Sequence, residues 1–268
     1  MKKIHATALV DDSALIGDHV EIGPYSIIGP EVKIGNGCKI GPYVQIKNSV
    51  VIGENNNIYH GTCIGEFGQD ITFNNPDPKI EIGNRNTIRE NVVIHQPSKH
   101  GNTSKMGNNN YIMCNAHLGH DVVMGDNNII ASGSVFGGYV SLEHNVFISG
   151  LVGIHQFTRI GRYALVSAGT PALMDVPPYC MMAGSPGVIT GLNIVGMRRA
   201  KFSSEKIQLI KNIYKIVFIR SRSPGQAFTD LEDKLLVKYN KASEEYKLVS
   251  HYIEFLKSCK RGIAPRHK

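Results

Sequence analysis

The 268-residue chain has no run of 18 apolar residues, and His5, Asp11 and Asp12 interrupt the stretch after Lys2 and Lys3 before any apolar signal core forms. It therefore offers neither a transmembrane segment nor a secretory leader, and reads as a soluble, cytoplasmic protein. Cysteine is sparse: Cys38, Cys63, Cys114, Cys180 and Cys259 include no Cys-x-x-Cys pair and are odd in number. That excludes a disulfide framework and a zinc knuckle, and predicts reduced structural thiols. A groove-reading motif and an interleaved aromatic platform are also missing, so no nucleic acid is expected as a partner. Acidic residues are thin in one part only. Residues 190–268 hold 17 Lys and Arg against 7 Asp and Glu, whereas residues 1–189 hold 12 against 15, for an overall net charge of +7. The basic C-terminal part is either a solvated helical surface or a docking face for an acidic partner, such as a phosphorylated ligand or an acidic carrier protein.

What the chain does have is a period of six. From Ile4 to Val166 every sixth residue gives 28 positions, of which 25 are apolar, and Gly often comes next, as at Gly17, Gly35, Gly53, Gly107, Gly125 and Gly161. At 42% hydrophobic content about 12 would be apolar by chance. Neither a helix of 3.6 residues nor a flat strand of period 2 has this repeat; a solenoid of three short strands and three tight corners per coil does. The expectation is a left-handed parallel β-helix over 1–189. It has about 18 residues per coil and about nine coils roughly 4.8 Å apart. Gly and the runs Asn55–Asn57, Asn108–Asn110 and Asn127–Asn128 supply left-handed corner conformations. Each buried Ile, Val or Leu contributes about 1.5–3 kcal/mol.

The frame fails at Asp70, Pro76 and His100, inside two polar stretches near 65–79 and 95–105 that are expected to leave the coil as loops. After Ala168 the hexads are expected to end, with Asp175-Val176-Pro177-Pro178-Tyr179 turning the chain away. Residues 190–268 change to helical periodicity. Ser203-Ser204-Glu205 can cap one helix with Ile207, Ile210, Ile213, Tyr214, Val217 and Phe218 as its stripe; others are predicted at Thr229–Tyr239 and Ser243–Lys257.

Among 11 histidines, His120 stands out because Asp121 beside it can orient an imidazole. With 18 residues per coil, His120, Gly138 and Gln156 fall in one vertical column, bringing together a base, a bare backbone N–H and an amide side chain. Those are the parts of an acyl transfer. A metal site of His117, His120 and His155 is the competing reading, with zinc as the ion.

The hexads, the string Asn115 to Asp121, Ile154-His155-Gln156-Phe157, Asp175 to Tyr179, Gly191-Leu192-Asn193 and Lys260-Arg261-Gly262 resemble the acyl-[acyl-carrier-protein]–UDP-N-acetylglucosamine O-acyltransferases of lipid A synthesis over nearly the whole chain. The resemblance implies a homotrimer with active sites in clefts between solenoids. A 3-hydroxyacyl chain would pass from acyl carrier protein to the 3-hydroxyl of the UDP-sugar, without a metal and with no cofactor beyond the phosphopantetheine of the donor. It makes His120 the general base, Asp121 its orienting acid and Gly138 the oxyanion donor. Gln69, Asp70, His117, Tyr139, His155 and Gln156 would contact the sugar or acyl group, Asn193 and Arg199 the nucleotide, and Ala168 would limit acyl length. Tyr139 stands where the family often has His, Thr72 where it often has Lys, and Ala200 where some members have a second Arg, so a 3-amino sugar is an alternative acceptor. The related N-acyltransferase, a coenzyme A-dependent hexapeptide acetyltransferase and an inactive β-helix scaffold are the other readings.

Overall fold

The six-residue period winds the chain into three parallel sheets of eleven, nine and eight strands, the eleven including an antiparallel return at the C-terminal end. The structure is a computed structural model and describes residues 1–74, 77–221 and 223–267; Pro76, one of the three breaks in the frame, lies outside the described residues. One coil shows the rule. Tyr111–Ile112 belongs to the first sheet, His117–Leu118 to the second and Val123–Met124 to the third, and each pairs with the strand 18 residues on. The second residue of each strand is buried and the first is not, so Ile112, Leu118, Met124, Ile130, Phe136 and Leu142 stack into one core. A two-residue strand has a single inward position, and hence one apolar residue recurs per hexad.

The corners depart instructively from expectation. Asn55, Asn109 and Asn127 do adopt positive φ, but so do Tyr25, Tyr43, Tyr139 and Tyr163. The asparagines one position later do something else. Asn56, Asn86, Asn110 and Asn128 are buried, and each side-chain oxygen accepts the amide one coil further on, from Asn86, Asn110, Asn128 and Val146 at 2.7–2.8 Å. They form an internal amide ladder beside the apolar core, satisfying backbone donors that a corner would otherwise strand.

Both polar stretches leave the coil, over narrower ranges than expected, because Lys79–Ile82 and Thr103–Met106 are strands that pair with each other. Asn56 and Asn86 stand in register 30 residues apart, and Asn86 and Asn110 24 apart. The insertions are thus twelve and six residues beyond a coil of eighteen, and multiples of six return the chain to the same frame. That is why the period survives across both loops.

The winding also outlasts Ala168. Pro171–Ala172 pairs with Gly153–Ile154, and Cys180–Ala183 pairs with Leu165–Val166 before Val188–Leu192 returns antiparallel. Four α-helices complete the chain: α1 (Ile194–Arg199), α2 (Ser204–Lys215), α3 (Pro224–Lys234) and α4 (Glu244–Lys257). Ser203 caps α2 as expected, its Oγ accepting from the Lys206 N–H. The helix α3 begins five residues earlier than expected because Ser223 caps it through the Gln226 N–H, and α1 has no counterpart in the helical periodicity. Leu209, Ile213, Leu231, Val249 and Ile253 close a second apolar core against Tyr179. The tail then returns to the β-helix, with Ile263 bridging Asp175 and Arg266 bridging Ile189. Among the described residues no helix is long and apolar enough to cross a membrane, and the five cysteines are free.

Candidate active site

Both insertions open at one edge of the prism, between the second and third sheets, at Glu66–Phe67 and at Gln96. Further along that edge come His120, Gly138 and Gln156, so the two loops fold over the column that the repeat sets up. The Tyr139 N–H donates to the His120 carbonyl at 2.9 Å and the Phe157 N–H to that of Gly138 at 3.0 Å, stacking the three corners. The imidazole of His120 lies directly on Gly138: a Cβ built there would overlap its Cε1 and Nε2. Only glycine leaves room for the ring.

His120 and Asp121 are 8% and 6% exposed, and His120 Nδ1 lies 2.8 Å from Asp121 Oδ2. Asp121 takes three further hydrogen bonds, from the Ser98 N–H and Oγ–H (both 2.9 Å, to Oδ2) and from Asn102 Nδ2–H (2.7 Å, to Oδ1). Burial pushes the Asp121 carboxyl up, but the donors from Ser98, His120 and Asn102 outweigh it and hold the group below the ordinary carboxylate range. An ionised Asp121 can only accept, so Nδ1 of His120 carries the proton and Nε2 is the basic nitrogen. The Gly138 N–H makes no hydrogen bond among the described residues. A free amide and a free imidazole nitrogen thus share one small space.

The surrounding residues divide sharply. Gly68 packs on His120, where an added Cβ would sit 3.0 Å from that of the histidine, which brings the Gln69–Asp70 segment to the rim. Asp70 accepts from the Thr72 N–H (2.8 Å) and Oγ1–H (2.7 Å), bonds that hold its carboxyl low. Thr72 is therefore the cap of Asp70. Tyr139 packs edge-on to His120 at 5.2 Å, stacks on Phe157 at 4.7 Å and has its hydroxyl 3.2 Å from Ser98 Oγ. His117 meets His95 edge-to-face at 4.9 Å, and burial, then the His95 charge, push the His117 pKa down. Both rings have an Nε2 that is buried with no hydrogen-bond partner among the described residues. His155 and Gln156 are exposed, His155 Nδ1 lying 3.1 Å from the Gln156 carbonyl. No group of three or more metal-ligating side chains gathers among the described residues.

Three expected site residues lie elsewhere in the chain. Ala168 belongs to the edge between the first and second sheets, at the end of a column in which the Leu151 N–H donates to Ser132 and the Gly169 N–H to Gly150. Arg199 and Asn193 sit over the first sheet, lining a surface depression with Ile129, Phe147 and Tyr163. That face is opposite the His120 edge. Asn193 also has a structural role, since its Oδ1 caps α1 through the Gly196 N–H at 2.9 Å and its Nδ2–H donates to the Tyr163 carbonyl at 3.0 Å. Ser98 and Asn102 join the site without having stood out in the sequence. Their only signal is membership of the polar stretch beyond His95.

Residues 175–264 match the family model described as UDP-N-acetylglucosamine O-acyltransferase, domain 2, and residues 31–66 and 103–138 match the bacterial transferase hexapeptide model. The acyl-[acyl-carrier-protein]–UDP-N-acetylglucosamine O-acyltransferase of Herminiimonas arsenicoxydans is 40% identical over 264 residues, covering 98% of this chain and 99% of that protein. The Anaeromyxobacter dehalogenans enzyme of the same name is 42% identical over 261 residues, covering 97% and 98%. Among solved structures, the UDP-N-acetylglucosamine O-acyltransferase of Moraxella catarrhalis superposes with a TM-score of 0.91 at 34% identity, covering 97% of this chain and 99% of that one. A hexapeptide β-helix, a basic helical cap and near full-length identity at this level leave one assignment: the chain belongs to the UDP-N-acetylglucosamine O-acyltransferase family.

Proposed function

We propose that this protein moves a 3-hydroxyacyl chain from the phosphopantetheine thioester of acyl carrier protein to the 3-hydroxyl of UDP-N-acetylglucosamine, the entry step of lipid A synthesis, in the cytoplasm. The observation that carries the chemistry is the His120 imidazole resting on Gly138 with Nδ1 engaged by Asp121. A sugar hydroxyl is a poor nucleophile at neutral pH. His120 Nε2 takes its proton as the oxygen attacks the thioester carbonyl carbon, a task worth about 10²–10⁴ in rate. Negative charge gathers on the carbonyl oxygen, where the unpaired Gly138 N–H receives it. As the C–S bond breaks, the imidazolium returns its proton to the departing sulfur. The ester and the free thiol balance the reaction, and no metal or resident cofactor takes part.

Gln69, Asp70, His117, Tyr139, His155 and Gln156 surround the sugar and acyl group, and Arg199 offers a bidentate cation for the diphosphate. Asn193 serves by building the helix that carries Arg199. Because Arg199 and Ala168 lie away from the His120 edge of one chain, a ligand touching all of them must span two chains. That supports a homotrimer with its sites in the clefts. The basic cap supplies the field that draws an acidic carrier protein.

The test is incubation with a panel of 3-hydroxyacyl-carrier proteins and UDP-sugars, including the 3-amino analogue, read by mass spectrometry. The expected product is the O-acylated N-acetylglucosamine nucleotide, formed without added metal. His120→Ala is expected to keep its melting temperature and assembly size while losing about 10²–10⁴ in turnover. Retained activity in that variant would end the reading.

A further inference from the structure

The corner at His120 does not hold its own acid in place; the six-residue insertion does. Asp121 follows His120 in a left-handed corner conformation (φ 59°), and within its own coil its carboxylate has only the imidazole as a partner. The remaining donors all come from the loop beyond His95: Ser98 through its N–H and Oγ–H, and Asn102 through its amide. Ser98 is 2% exposed, and its hydroxyl also meets the Tyr139 hydroxyl from the coil above. One side chain therefore ties the acid of the dyad to the aromatic ring packed on the imidazole.

We infer that Ser98 is a positioning residue for the acyl transfer, acting through Asp121, and that the loop at 96–102 exists to fasten this carboxylate with Asn102 as its second clasp. The inference rests on the reading of His120 and Asp121 as base and orienting acid. Its physical content is geometric and electrostatic. With Ser98 Oγ–H and N–H on the same oxygen that faces His120 Nδ1, Oδ2 is fixed in position and its charge is shared among three donors. Fixing the oxygen keeps Nε2 aimed at the space beside Gly138. Sharing the charge spreads it over the donors on Oδ2, so that the carboxylate orients the ring through one of several bonds. The charged and titratable groups facing His120 are Asp121 on its own corner, Tyr139 from the next coil and Asp70 from the first loop. Lys99 from the second loop stands behind Tyr139, its Nζ 5.8 Å from the ring centre. Ser98 binds two of these groups, Asp121 and Tyr139.

Ser98→Ala, Ser98→Thr, Asn102→Ala and His120→Ala are compared in the whole protein with donor and UDP-sugar each varied up to saturation. Ser98→Ala is expected to lower kcat about 10-fold with KM for both substrates within twofold. It is also expected to move the acidic limb of the kcat profile to higher pH, because the less solvated carboxylate holds the imidazolium more tightly. Asn102→Ala should act in the same direction and more weakly, and Ser98→Thr should restore both kcat and the limb. If Ser98→Ala leaves the limb unmoved, or Ser98→Thr is as impaired as Ser98→Ala, the positioning role is overturned. If His120→Ala remains active, it is the base assignment that has failed, and the two failures are told apart within one experiment.

Discussion

Two vertical edges of the same prism use the same backbone for opposite purposes. At the edge between the third and first sheets, the second amide of five corners is taken by the side chain at the same position one coil on. Asp18 donates to Asn36, Glu54 to Asn84, Asn84 to Asn108, Asn108 to Asp126 and Asp126 to His144, at 2.6–2.9 Å. At the edge between the second and third sheets the equivalent positions hold His120, Gly138 and Gln156, and no such rungs form there among the described residues. Backbone donors are obligatory hydrogen-bonding groups, so a column of short polar side chains is a structural device and its absence leaves amides open. The first edge also receives the helical cap, through Glu143 and His251; the second receives the two loops. One edge builds, and the other is left available for chemistry.

The sharpest way to break the distinction is to add a single carbon at the open edge. Gly138 has no positive φ, so alanine fits its backbone; the nearest conflict is with the imidazole of His120. Gly138→Ala keeps the backbone N–H and is expected to fold and melt like the parent while losing about 10²–10⁴ in kcat, because its Cβ displaces the imidazole of the base. Melting curves beside steady-state kinetics check it, and an unfolded or fully active variant contradicts the idea that this edge is spared for function.

The converse change, on the building edge, should touch stability alone. Asn110 has 1% exposure and connects Asn86 to Asn128 in the internal ladder. Asn110→Ala strands the buried Asn128 N–H, while the Asn86 side-chain oxygen keeps the backbone N–H of residue 110, so the cost is about 1–3 kcal/mol for the one stranded group. Denaturant unfolding should show that loss, with kcat unaltered at a temperature where the variant is folded.

This contrast also explains how much is legible in the residues alone. Within the uninterrupted repeat, position determines place, so the juxtaposition of His120, Gly138 and Gln156 follows from counting eighteens, and Asp121 follows from adjacency. Ser98 and Asn102 do not follow, because they lie in an insertion whose internal path no period governs. Counting does not separate the asparagines either: Asn55 and Asn56 differ by one residue, yet one makes the corner and the other enters the core. Resemblance makes Asn193 a nucleotide contact, and its place just before a helix gives it a second role as a cap. The start of α3 at Pro224 is set by the Ser223 cap and lies five residues before the expected Thr229.

A smaller and more discriminating effect is expected where the cap meets the building edge. Glu143 accepts from the Arg162 N–H at 2.7 Å and pairs with His251 Nε2 of α4 at 2.9 Å. Burial pushes the Glu143 carboxyl up, but the His251 and Arg162 contacts outweigh it and leave the group below its ordinary value. A carboxylate depressed in the folded state binds fewer protons there than in the unfolded chain, so stability rises with pH through this window. The contribution is complete above the unfolded carboxyl value of about 4.3 and is lost as pH falls through the lower folded value. Glu143→Gln keeps an acceptor for the Arg162 N–H but cannot ionise. Relative to the parent it should therefore be less stable by about 1–2 kcal/mol near pH 6, with the gap narrowing as both are taken toward pH 3. Other carboxyls titrate alike in both proteins and cancel in the difference. A gap that stays constant over that range would mean the junction is held by packing of α4 alone, and that the building edge contributes no charge to the cap.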